Sequence, residues 1–148
     1  MATTSSYYGA NYTVVDNTPA VASFVAATEW GGNVKAITDT FTAGATDTGT
    51  AGSVIYVGKL PKNSIPLACV ISSPAAMSWS GTIGWSGDVD ALGDFTTFTA
   101  AGSKITGPAA TVAASPTTQD QDVYITTADA AIVSSDSITT TVLYVQGG

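Results

Sequence analysis

The chain has 148 residues, 45% hydrophobic and only 10% charged, with a formal net charge of −7. That length suits one domain with a core of its own, and the charged share is far below the roughly 25% usual for soluble domains. Arginine is absent and only Lys59 and Lys62 among the lysines lie close together, so no clustered cations exist to displace counterions from nucleic acid or to hold an anionic membrane. The polar surface must come largely from Thr, Ser, Asn and backbone, which suits a protein that packs against neighbours.

The N-terminus, Met1 to Tyr8, has neither a basic segment nor an apolar one. The expectation is no signal peptide and a chain made in the cytoplasm. No stretch nears the roughly 20 apolar residues of a membrane helix. Residues 1–31 differ from the rest: Tyr7, Tyr8 and Tyr12 precede Val14-Val15, then Asp16 to Pro19, then an Ala-rich piece. This segment reads as an extended arm with one short strand, and residues 32–148 as the folded domain. Tyrosine gives large amphipathic contact area at low entropic cost, so Tyr7, Tyr8 and Tyr12 are candidate partner-binding residues.

From Gly32 onward, strand signals follow one another. Asn33 to Phe41 alternates, with Lys35, Ile37, Asp39 and Phe41 on one side. Ser53 to Val57 is a compact apolar strand, and Gly58 to Asn63 reads as a turn. Ser64 to Ser72 is a second apolar strand, in which Pro66 marks an edge or a bulge. Ser78 to Ser86 has a period of two and puts Trp79, Gly81, Ile83 and Trp85 on one face. Leu92, Phe95 and Phe98 break that period, predicting a short helix or turn within Asp88 to Ala101. Gly107 to Pro116 reads as a loop, Asp122 to Thr126 and Ala130 to Val133 as short strands, and Ile138 to Val145 as a strongly β-branched last strand. Short strands with Gly and Pro punctuation and no βαβ rhythm define an all-β antiparallel β-sandwich. A jelly roll is the first choice, ahead of an immunoglobulin-like sandwich, whose paired cysteines are missing.

The chemistry-bearing residues are sparse. There is no histidine, one cysteine, and one glutamate, Glu29. The commonest general base and metal ligand is therefore missing, as are thiolate clusters and bidentate arginine clamps. The chain is expected to be no enzyme, with no catalytic residues, no cofactor and no resident metal. The loop Asp88, Asp90, Gly93, Asp94 matches a calcium loop only at positions 1, 3, 6 and 7, since Leu92 and Thr99 stand where ligands at 5 and 12 belong. A solvated turn is the simpler reading. Cys69 lies in an apolar run and reads as a small buried hydrophobe. Trp79 and Trp85 share a face with Ile83, which favours core packing. A sugar-binding platform, with Trp30 as a third aromatic, is the alternative.

The stretch from Val54 to Gly102 carries a resemblance. An apolar strand leads through Lys59-Leu60-Pro61-Lys62 to Thr82-Ile83-Gly84-Trp85-Ser86-Gly87-Asp88-Val89-Asp90-Ala91-Leu92, followed by a Phe/Ala segment. It resembles the small virion structural proteins of tailed bacteriophages, in the decoration or cement class, over about a third of the chain. The resemblance implies a jelly-roll-like domain on the outer capsid surface, a homotrimer, whose partner is the major capsid protein and whose role is to clamp neighbouring capsid subunits. A head-fibre base or tail component is the other virion reading.

Overall fold

The computed structural model describes residues 4–8, 34–108, 112 and 116–146. Nine strands form it: β1 (Ser6–Tyr8), β2 (Val34–Thr42), β3 (Val54–Leu60), β4 (Ser64–Ser73), β5 (Ser80–Gly84), β6 (Asp94–Phe95), β7 (Gly102–Thr106), β8 (Gln121–Ala128) and β9 (Ser137–Gln146). They lie in two sheets, one ordered β1-β3-β8-β5-β6 and the other β2-β9-β4-β7.

That order defines the connectivity. From β2 to β5, each strand crosses to the opposite sheet, β5 and β6 pair as neighbours, and β7 to β9 cross again. Folding the chain back on itself this way pairs β2 with β9, β3 with β8 and β4 with β7. This is the eight-stranded double-sheet jelly roll, with β1 added in parallel on the free edge of β3.

Alternation along the strands builds the core between the sheets. Ile55 and Leu60 of β3, Cys69 and Ile71 of β4, Ile83 of β5, Val123 and Ile125 of β8, and Ile138 and Val142 of β9 all point inward and are buried. Trp79, just before β5, is fully buried; its ring meets Phe95 edge-on at 5.8 Å and its Nε1 donates to Asp136 Oδ2 at 2.9 Å. Asp136 also accepts from the Val133 amide at 2.8 Å, so the loop before β9 is tied to the core tryptophan.

Two irregularities set the register. The pairing of β4 with β9 shifts between Pro66 and Ala68, the bulge that Pro66 signals, because proline cannot supply the ladder donor. The pairing of β3 with β8 shifts between Tyr56 and Gly58. A Cβ at Gly58 would run into the Ile37 side chain of the opposite sheet, so glycine is required for that approach.

Some sequence expectations give way. Gly58 to Leu60 belongs to β3, not to a turn, because the bulge keeps the strand paired past Gly58 with Asp122 and Gln121. Ala130 to Val133 is no strand: Asp129 has φ 67° and the Ile132 amide bonds the Gly49 carbonyl at 2.8 Å. Asp88 to Ala101 holds turns and the short β6, no helix, and its three-residue hydrophobic spacing arises where chain reversals bury Leu92, Phe95 and Phe98. Strand β7 was not expected at all. Of the arm assigned to residues 1–31, residues 1–3 and 9–31 lie outside the described residues, while Ser6–Tyr8 is a strand of the first sheet.

Candidate docking face

The outward side of the β2-β9-β4-β7 sheet is built from the positions that alternate with the core. On β2 these are Val34, Ala36, Thr38, Thr40 and Thr42, and on β9 they are Ser137, Thr139, Thr141, Leu143 and Val145. Register stacks them in rows. Val34, Val145 and Ile65 form one row, and Ala36, Leu143 and Ala68 the next. Thr38, Thr141, Val70 and Ile105 follow, then Thr40, Thr139, Ser72 and Ser103. None of these side chains is charged.

The charged residues of these strands sit elsewhere. Asp39 points inward, is buried, and accepts from the Thr40 amide at 2.8 Å. Lys35 shares its parity and donates to Gln146 Oε1 at 2.9 Å. Lys104 turns away from the face: its Nζ donates to the carbonyls of Thr96 (3.0 Å) and Thr97 (2.7 Å) and lies 4.9 Å from the Phe98 ring centroid. Strands β4 and β9 carry no charged residue.

The face has two halves. At one end, and along the β7 edge where Ile105 shares a row with Thr38 and Thr141, apolar side chains meet water: Val34 is 59% exposed, Leu67 in the β4 bulge 45%, and Ile105 76%. At the other, hydroxyls pair across the strands, Thr38 with Thr141 at 3.0 Å, Thr40 with Thr139 at 2.8 Å and Thr42 with Ser137 at 3.0 Å. A hydroxyl that already holds a partner costs less to dehydrate than a free one. The whole face can therefore be covered by another surface without stranding a charge or leaving these hydroxyls bare.

The residues singled out from the sequence fall as follows. Tyr7 lies in β1, half-buried, its ring 5.2 Å from that of Phe41; β1 is held by its pairing with Val54–Tyr56 and by Val54 N donating to Ser5 O at 2.7 Å. Tyr8 is the last residue of β1, and Tyr12 lies outside the described residues, as does Trp30. Trp79 and Trp85 are buried, which removes them as a sugar platform. Among the described residues, no group of three or more Asp, Cys, Glu or His side chains is arranged to hold a metal ion. Within the acidic loop, desolvation first, then a hydrogen bond with Asp90 and its like charge, raise the Asp88 carboxyl above its ordinary range. Cys69 is buried in β4, and desolvation pushes its thiol up to about 12, leaving an unreactive hydrophobe. The uncharged face itself escaped the sequence reading. Its signal was present in the alternate threonines of β2 and β9, but seeing it requires the strand order, which brings β4 and β7 alongside them.

An all-β double-sheet jelly roll with an uncharged outer sheet is the class that fold and face define. Two solved structures share the fold. A chain from the capsid of Ralstonia phage GP4 matches with a TM-score of 0.66 at 18% identity, over 97% of this chain and 99% of that one. A chain from the Cyanophage Pam1 capsid asymmetric unit matches with a TM-score of 0.56 at 21% identity, over 88% of this chain and 95% of that one. At these identities the likeness establishes the fold. No family model and no curated protein sequence matches the chain.

Proposed function

We propose that this protein is a virion structural protein, a capsid decoration or cement protein. It binds the outer capsid surface as a homotrimer and clamps neighbouring major capsid subunits. The observation that carries this reading is the near end-to-end likeness to chains of two phage capsids. A partial match would leave room for a borrowed module, whereas this one spans nearly the whole of each chain. The uncharged outer sheet supports the self-association in this reading, since a subunit interface needs a surface that dehydrates cheaply. The sparse chemistry also supports the reading: without histidine or arginine, and with Cys69 buried, binding is a better account than catalysis. Clamping follows from mass action. A protein that binds only the assembled lattice stabilises that state over its free subunits, and a multimer gripping several subunits does so with avidity.

The test is electron cryomicroscopy of the virion that carries the protein, with mass spectrometry of its purified components. The expected map shows the two-sheet domain on the outer shell, bridging adjacent capsid subunits. Absence of the protein from purified particles, or its placement in the tail, overturns the reading.

A further inference from the structure

We infer that the uncharged outer face of the β2-β9-β4-β7 sheet is buried between copies of this chain. The inference rests on the proposed self-association and names its surface. Two observations select a second copy as the occupant. The first is charge. Every copy carries −7, so copies repel one another unless they meet where no carboxylate stands. The outer face of the other sheet carries ionised groups, Asp94 and the Lys59–Asp122 pair at 3.6 Å, whose hydration opposes burial there. Bringing two of the uncharged faces together juxtaposes none.

The second observation is size. The four strands have nine, ten, ten and five residues. At a rise of about 3.4 Å per residue and a spacing of about 4.8 Å between strands, they present about 550 Å² of projected sheet per copy. Three such faces turned toward the axis of a trimer supply about 1,650 Å² in all, the size of a standard specific interface. The exposed side chains have the chemistry of an interface core: aliphatic at Val34, Leu67 and Ile105, and self-satisfied hydroxyl at Thr40 and Thr139. Exposed valines outside the face, Val89 and Val133, stand alone in loops and provide the control.

The experiment is sedimentation of the full chain and of the variant Val34→Glu/Leu67→Glu/Ile105→Glu, with Val89→Glu/Val133→Glu as control. All five positions are solvent-exposed, so each chain should fold, and far-ultraviolet circular dichroism checks that it does. The expected result is an oligomer for the wild type and the control, and a folded monomer for the face variant. A monomeric wild type at tens of micromolar, or a face variant that stays oligomeric, overturns the inference. Capsid binding is measured in parallel and separates this inference from the proposed function. If the face variant remains oligomeric but no longer binds particles, the face belongs against the shell and the inference fails while the function stands. If the variant dissociates but the wild type never binds particles, the inference stands and the proposed function fails.

Discussion

The two outer surfaces of this sandwich share one core and could hardly differ more in what they show to solvent. On the β3-β8-β5 side, Lys59 and Asp122 lie 3.6 Å apart, Tyr56 and Tyr124 meet edge-on at 5.5 Å, and Ser80 bonds Asp129. On the β2-β9-β4-β7 side, charge is absent and hydroxyls bond hydroxyls. Both solutions keep a sheet folded. Only the first keeps it hydrated, because ionised groups hold water that uncharged ones release cheaply. Folding therefore does not explain the second surface, whereas the proposed association would.

The sharpest way to break this contrast is to place the same charge on each side. Thr141→Lys puts an ammonium in the middle of the uncharged face. Repeated in each copy, it should weaken self-association about 100-fold or more, since opposed like charges cost several kcal/mol. Thr82→Lys, outward on β5 across from Asp94, should leave association within about twofold, because exposed charge on a hydrated surface contributes little. Analytical ultracentrifugation over a dilution series reads both. Equal effects from the two variants mean that the faces do not differ as argued.

A smaller effect probes the hydroxyl half. Thr40 and Thr139 satisfy each other at 2.8 Å. Thr40→Val alone leaves the Thr139 hydroxyl without that partner and should cost about 1 kcal/mol of stability, as should the converse. The double Val variant removes both polar groups while keeping shape, and should return close to wild-type stability. Urea unfolding of the four chains closes the cycle. Additive losses would show that the pairing carries no energy of its own.

Much of this architecture was legible in the sequence. Alternation identified β2, β5 and β8 and put Trp79, Ile83 and Trp85 on a buried side, because a period of two is a direct readout of a sheet with one face in the core, while apolar and β-branched runs identified β4 and β9. Pro66 gave away its bulge for an equally local reason. What alternation cannot report is which strands lie side by side. The bulge at Val57 and Gly58 kept β3 running beyond a Gly that resembled a turn, and β7 was too short to be seen between two glycines. Yet β7 contributes Ile105, the most exposed large hydrophobic residue described. The candidate face is a property of strand order. It was written across four separate segments of chain, and no one segment displays it.

The smallest effect lies in the acidic turn after β5, away from the uncharged face. There Gly84 permits a close reversal: a Cβ would collide with the carbonyl oxygen of Asp88. The reversal brings Asp88 beside Asp90, and desolvation, then the hydrogen bond and charge of Asp90, raise the Asp88 carboxyl above its ordinary 3.8. A carboxyl raised on folding stabilises the folded state most when protonated. Its contribution is fully present below 3.8 and is lost as pH rises through the folded value. Asp88→Asn cannot ionise, so it should gain stability relative to the wild type as pH climbs through that window and hold the gain at neutral pH. Urea midpoints at a series of acid to neutral pH values measure the difference. A constant offset between the two chains would assign the pH dependence to other carboxylates. Association at neutral pH should change by no more than about twofold in the variant, because an exposed charge away from the face contributes little.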